Sequence, residues 1–445
     1  MNAKQTRSEE IFQRALKVLP GGASRNAVIR KPHPCYAAVA QGCVVTDVEG
    51  NRRIDFANNM ASLIHGHAHP AIVAAVTAQL PRGTAYNFAT EIEVEYAEHL
   101  VSRSESFEKI RFVNSGTEAV MCSLKAARAF TQRPKMAKVE GAYHGVYDYA
   151  EVSQTAQPAN WGDETHPVSV PVTRGTPRGV LDDVVIIPFN DTERALALLN
   201  EHRDDLACVL VDPLPHRVGM APADPEFIAA LRQWTRDNGA LLVFDEVITF
   251  RSAYGGAQQW YKDRPDLTAM GKIIGGGFPV GALAGRADVM NVFDPFAPNV
   301  LFPHSGTFSA NPVTMTAGLT AMRLFDHAAV NHVNSLCDRA RRQIADAIRE
   351  ADIPACVTGG GSMFRIHMKP HVPRNYRESH PTPAEAQMLK TLLDYTFENG
   401  IMMIGTCSGT ISTPMTTAEI DRLTEVLYAG FQKAREALPR VAARA

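Results

Sequence analysis

The sequence predicts an α/β protein in which a mainly parallel sheet, covered by helices on both faces, is joined to a smaller α+β unit. Three observations carry this. LACVLVDP (206–213) and ALLVFDEV (240–247) are apolar almost without a break, as strands buried on both faces must be. From about residue 90 to 320 such runs alternate with helical stretches, the rhythm of crossover units. After about Thr320 long helices take over, with one strand among them.

The elements follow in order. The first twenty residues read as a polar amphipathic helix, without the apolar core or cleavage site of a leader. VVTDVEGNRRIDF (44–56) is a hairpin, two strand-like runs around the turn Glu49-Gly50-Asn51. AIVAAVTAQL is a helix, KIRFVNS a short strand, and TEAVMCSLKAARAF the helix after it. LACVLVDP leads to the helix FIAALRQWTRDNG, closed by Gly239, and then to the strand ALLVFDEV. Beyond Thr320 come a long helix (331–353), the strand GSMFRIHM, and the helices 382–400 and 416–438. The expected division is 1–65 as an N-terminal segment of the smaller domain, 66–322 as the large domain, and 323–445 as the C-terminal part of the smaller one.

Composition excludes several classes. The chain has 445 residues, 45 Lys plus Arg against 47 Asp plus Glu, and a formal charge of −2. A nucleic-acid binder or a polybasic membrane-surface protein would show a basic excess. No run reaches the roughly 18 apolar residues of a membrane helix. Cys35, Cys43, Cys122, Cys208, Cys337, Cys356 and Cys407 are scattered, odd in number and without a C-x-x-C pair. That spacing fits neither a disulfide framework nor a cysteine zinc site, so a reducing, cytoplasmic setting is expected.

In an open α/β sheet, ligands bind beyond the carboxyl ends of the strands. Three places there can carry chemistry. Asn114-Ser115-Gly116-Thr117-Glu118 joins a strand to a helix, where free amides and the helix dipole favour phosphate. A plain helix cap would use the same residues. Asp245-Glu246 ends a buried strand, where a carboxylate needs a positive partner. Lys272 stands beside Gly271 and before Gly275-Gly276-Gly277, and a desolvated lysine there is a nucleophile for Schiff-base chemistry. An exposed lysine near a flexible loop is the plainer alternative. No P-loop and no early G-x-G-x-x-G is present, so neither a nucleoside triphosphate nor a dinucleotide is expected. A phosphate cradle, a strand-end Asp and a nucleophilic Lys are together what pyridoxal phosphate needs.

The chain resembles a class III aminotransferase of the fold-type-I pyridoxal-phosphate superfamily, near the glutamate-1-semialdehyde 2,1-aminomutase and β-amino-acid aminotransferase branches. PGGAS (20–24), GHAHP (66–70), FVNSGTEA (112–119), GAYHG (141–145), FDEV (244–247), GKIIGGGFPVGA (271–282) and HSGTFSANP (304–312) carry the resemblance over nearly the whole chain. It implies a seven-stranded sheet in the large domain and a smaller domain built from both chain ends. It also implies pyridoxal 5′-phosphate as an internal aldimine on Lys272, which moves a proton between substrate carbon and cofactor carbon. Asp245 would hold the pyridine nitrogen, with Val247 on one ring face, Tyr143 on the other and His144 beside it. Ser115, Gly116 and Thr117 would cradle the phosphate. Gly306 and Thr307 would reach the phosphate of a neighbouring subunit, implying a homodimer with shared active sites.

The resemblance also locates the substrate end. Arg25 resembles the carboxylate-binding Arg of β-amino-acid aminotransferases, and His304 resembles that group too. Asp212-Pro213 replaces the usual Glu-Pro, and Arg217 follows where aminomutases are mostly neutral. The aminomutases' aromatic residue is missing near Met60, and residues 406–412 lack the Arg that grips an α-carboxylate. The long segment from Tyr143 to Asp191 would close the site, moving on Gly145, Gly162 and Gly175. The expected reaction is therefore transamination of a small anionic amino compound with a β- or ω-placed amino group, using an amino donor and a keto acceptor. An intramolecular amino shift and an ammonia-releasing β-elimination stand as alternatives. His65, His67 and His69 alternate as they would on one face of a metal-binding strand, but no Cys or carboxylate cluster completes a set, so no metal is expected.

Overall fold

The computed structural model describes residues 6–436. Fourteen strands are named here in chain order. The first three are β1 (Ala37–Gln41), β2 (Val44–Asp47) and β3 (Arg52–Asp55). Seven follow: β4 (Lys109–Val113), β5 (Lys135–Val139), β6 (Val184–Ile187), β7 (Leu206–Val211), β8 (Leu241–Asp245), β9 (Leu267–Gly271) and β10 (Gly281–Gly285). The last four are β11 (Cys356–Gly360), β12 (Met363–His367), β13 (Ile401–Met402) and β14 (Ser408–Thr410).

The seven central strands form one sheet in the order β4-β10-β9-β8-β7-β5-β6. The pairs β9–β8, β8–β7, β7–β5 and β5–β6 are parallel, and only β10 runs against its neighbours. The apolar runs follow from burial on both faces. On β8, Leu241 and Val243 join the cluster under the helix Gly116–Thr131, while Leu242 and Phe244 join the cluster under Pro225–Asp237. Successive side chains point to opposite faces, so both sets must be apolar. Each such large side chain contributes roughly 1.5–3 kcal/mol when fully buried.

The parallel order brings the carboxyl ends of β4, β7, β8 and β9 to one edge of the sheet. The amino end of the reversed β10 arrives there too, with Gly281 opposite both Val113 and Gly271.

The two chain ends meet elsewhere. β13 pairs in parallel with β3, adding a C-terminal strand to the sheet β1-β2-β3-β13. A second small sheet, β11-β12-β14, packs with the long helix His327–Glu350. The hairpin expected around Gly50 is β2–β3. Among the described residues no helix is long and apolar enough to cross a membrane. The three histidines of HGHAHP lie in a loop rather than a strand. His65 bonds to Ala321 O (2.8 Å) and Thr413 (3.0 Å), His67 to Asp55 (2.8 Å), and His69 precedes the helix Pro70–Gln79 without a side-chain cap bond.

Candidate active site

A cavity of about 640 Å³ opens at the carboxyl edge of the large sheet. Its lining includes Ser115, Gly116, Thr117, Tyr143, His144, Asp245, Val247 and Lys272, each taken from the sequence above. Arg25 reaches the same cavity from the N-terminal segment.

The floor is built by close backbone approach. Val247 Cγ1 lies 2.6 Å from where a Cβ on Gly116 would sit, and 3.3 Å from one on Gly271. A Cβ on Gly145, at φ +93°, would meet Thr117 Oγ1 at 2.4 Å. Only glycine lets these three segments converge. Ser115 caps the helix Gly116–Thr131, its Oγ accepting from Glu118 N at 3.1 Å. The capping role and an anion role are compatible. The Ser115 hydroxyl proton stays available, and the first helical amides have no intrahelical acceptor. This end of the helix is electropositive.

Asp245 faces the cavity from the end of β8. Its Oδ2 meets His144 Nδ1 at 2.7 Å and its Oδ1 accepts from Val247 N at 3.0 Å. Desolvation lowers the pKa of His144, with Asp245 opposing, so the ring is neutral and orients the carboxylate. Lys272 leaves β9 in a left-handed conformation, φ +51°. Desolvation lowers its amine pKa, while Asp245 and then Asp212 raise it. Among the described residues its amine has no hydrogen-bond partner. An unpaired, desolvated amine beside a carboxylate and a helix N-terminus fits pyridoxal phosphate in kind and in charge.

The mouth is made differently. Residues 58–61 all have positive φ, between 44° and 69°. A left-handed turn of L-residues costs roughly 1–2 kcal/mol per residue, less for Asn. Asn58 pins it, its amide on Asp55 (2.8 Å) and its side chain on Thr410 O (2.8 Å). Asn59 and Ser62 line the cavity beside Arg25.

Four substrate or phosphate candidates lie outside this lining. Arg217 stacks over the Tyr143 ring, 4.8 Å from its centroid, with Nη1 on Gln154 O. It sits behind the tyrosine rather than in the cavity. His304 is held by Arg111, whose Nε meets Nδ1 at 3.0 Å, and packs against Phe293 and Phe302. It does not line the cavity of its own chain. Gly306 stands close to Asn114, and Thr307 is exposed.

Asp212 was legible only as a departure from a pattern, yet it lines the cavity from the end of β7. Desolvation first, then Asp245, pushes its carboxyl well above the usual range; Leu214 N, which Oδ1 accepts at 2.9 Å, and Lys272 oppose this. The strand-end rule that found Asp245 would have found it. Where the C-terminal Arg is missing, His216 Nε2 meets Ser408 Oγ (2.8 Å) and Thr406 Oγ1 (2.9 Å). Desolvation, then Arg365, lowers His216 to about 3, so this cluster is uncharged. No local sequence signal joins residues 216 and 408.

The segment after Tyr143 is anchored at its start. Buried Lys138 donates to Ala142 O (2.9 Å) and Val152 O (2.7 Å). Arg377 bonds Glu140 and the carbonyls of Trp161, Gly162 and Asp163.

Comparison with known proteins agrees with this geometry. The chain matches the family described as Aminotransferase class-III over residues 26–430. A curated glutamate-1-semialdehyde 2,1-aminomutase from Methanothermobacter thermautotrophicus is 41% identical over 374 residues, 84% of this chain and 86% of that one. The crystal structure of an omega-transaminase from Sphaerobacter thermophilus superposes with a TM-score of 0.95 at 46% identity, covering 97% of this chain and 98% of that one. A transaminase solved with pyridoxal phosphate bound gives 0.90 at 42% identity, over 98% of this chain and 100% of that one.

Proposed function

The chain belongs to the pyridoxal-phosphate-dependent class III aminotransferases, and on that premise we propose that it transaminates a small anionic amine whose amino group is β or ω to the acid. The convergence of Lys272, Asp245 and the Ser115–Thr117 turn on one cavity carries the reading. Bound pyridoxal phosphate supplies an aldehyde for the amine and a ring that takes up the electrons of a deprotonated carbon. Lys272 Nζ would hold the aldehyde, and as a free amine it moves the proton at the substrate carbon. Asp245, oriented by His144, would keep the pyridine nitrogen protonated. Val247 and Tyr143 would cover the two ring faces. Ser115, Gly116 and Thr117 would hold the phosphate at the helix N-terminus. Arg25 meets the substrate carboxylate, because with Lys272 given to the cofactor it is the cation that both lines the cavity and has no acidic partner among the described residues. Arg217 steadies Tyr143.

The same reading makes the enzyme a cytoplasmic homodimer. Phe88 and Phe296 are 86% and 94% exposed, and Phe308 beside Thr307 is exposed as well, apolar side chains that a partner subunit would cover. Gly306, Thr307 and His304 then serve the partner's site rather than their own. The division at residues 65 and 322 places this cavity between the N-terminal segment and the large domain.

An intramolecular amino shift is the second reading, favoured by the aminomutase relative. A panel of α-, β- and ω-amino acids with keto acids decides, read by the cofactor band at roughly 410–430 nm. β- or ω-amino acids should bleach the band, turnover should need a keto acid, and no ammonia should appear. Isomerisation without an acceptor would establish the aminomutase, and ammonia release a lyase. Lys272→Ala should remove or shift the band.

A further inference from the structure

We infer that Asn59 is a positioning residue that aims the Arg25 guanidinium into the cavity and thereby sets the preference for a carboxylate-bearing substrate. The inference rests on the reading that Arg25 meets the substrate anion.

Arg25 stands exposed at the cavity rim, and its Nη1 donates to Asn59 Oδ1 at 2.7 Å. An exposed arginine samples many rotamers, and ordering it on binding weakens affinity. A clamp made beforehand removes that cost. The clamp is neutral, so it uses one N–H and leaves the charge and four donors for a forked carboxylate. An acidic partner would fix the side chain equally well but compete with the substrate.

Asn59 is itself held. Its Nδ2 donates to Ser62 Oγ at 3.1 Å, and Ser62 Oγ donates back to Asn59 O at 2.9 Å. Its φ is +48°, within the left-handed run from Asn58 to Ala61. Such a run persists only where its surroundings enforce it, and strain of this kind clusters at ligand sites. The enforcement is visible next door. Asn58 binds Asp55 Oδ1 at 2.8 Å, and its Nδ2 meets Thr410 Oγ1 at 3.0 Å. Thr410 belongs to β14, so the far end of the chain fixes the turn that presents Asn59.

The test uses the holoenzyme with three probes: butanoate as an unreactive carboxylate, 3-aminobutanoate, and sec-butylamine, which lacks the acid. Asn59→Gly suits the left-handed backbone and removes only the amide. Losing a hydrogen bond to a charged group should weaken butanoate binding, read by calorimetry, about tenfold. KM for 3-aminobutanoate should rise by a similar factor with kcat unchanged, and sec-butylamine should be unaffected. Asn59→Asp keeps the clamp but adds a charge, and should weaken butanoate binding further.

Unchanged butanoate affinity in Asn59→Gly overturns the inference, as does an equal effect on both amines. Should Asn59→Gly not fold, Asn59→Asp decides: carboxylate binding as strong as in the parent overturns it. Arg25→Ala separates the two levels. If Arg25→Ala keeps the carboxylate preference, the assigned role of Arg25 fails and this inference with it. If Arg25→Ala loses the preference while Asn59→Gly keeps it, only the positioning role fails.

Discussion

The floor and the mouth of the cavity are built on opposite principles. The floor comes from four strand ends of one sheet, and its side chains are fixed by backbone contact: Val247 on Gly116 and Gly271, Thr117 on Gly145. The mouth joins an N-terminal loop, a left-handed turn and a C-terminal strand through side-chain hydrogen bonds such as Arg25–Asn59 and Asn58–Thr410. A floor of this kind tolerates little change, because a Cβ has no room. A mouth of this kind changes one side chain at a time. The proposed function assigns cofactor chemistry to the first and substrate choice to the second.

Three experiments would break or sharpen that contrast, from the largest effect to the smallest. Asp245→Asn removes the carboxylate proposed to keep the ring nitrogen protonated, and kcat should fall about 10²–10⁴-fold. A loss of less than tenfold would mean that Asp245 does not act on the cofactor. Gly116→Ala places a methyl 2.6 Å from Val247 Cγ1. Overpacking there should cost about 1–3 kcal/mol, seen as a lower melting temperature and weaker cofactor retention. Gly116→Ala with Val247→Ala should recover part of it. Unaltered stability in the single variant would show the floor to be looser than its contacts imply.

The smallest effect concerns pH and the buried cluster that stands where the C-terminal Arg is missing. Desolvation depresses His216 to about 3 in the folded chain, against about 6.5 when unfolded. The unfolded chain therefore binds more protons between these values, so stability is full above pH 6.5 and is lost as pH falls toward 3. His216→Asn should flatten the melting temperature against pH across that window. An unchanged slope would assign the acid sensitivity elsewhere, His367 being the next candidate, also lowered to about 3, by burial and then Arg365.

The same division governs what could be read in advance. The floor was legible because each part is a local pattern: a strand end followed by SGT, by DEV or by GK. β7 and β8 were legible because burial on both faces makes them apolar throughout. β10 was not, since GALAG is mostly small residues. A Cβ on Gly281 would lie 2.0 Å from Ser115 O, so this strand is selected for closeness to the turn and not for hydrophobicity. β5 was hidden by its lysines, of which Lys138 is fully buried on two carbonyls. At the mouth, Arg25 was found by resemblance, but Asn59 was not, because Asn-Asn allows a left-handed turn without saying which side chain that turn presents to Arg25. Arg217 and His304 were placed at the substrate end by their position in the chain. The fold puts one behind Tyr143 and the other on Arg111.

The sequence by itself determined the α/β class, the class III family, and the Lys, Asp and SGT turn of the floor. Those properties are written in short contiguous runs whose periodicity and glycines have one physical meaning. The tertiary structure alone decided which cation reaches the cavity, what holds it, and what stands where the C-terminal Arg is missing. Those depend on pairs such as Arg25–Asn59, Asn58–Thr410 and His216–Ser408, up to 352 residues apart. Hydrogen bonds between such distant side chains leave no periodic trace, because only the packed sheets bring their partners within reach.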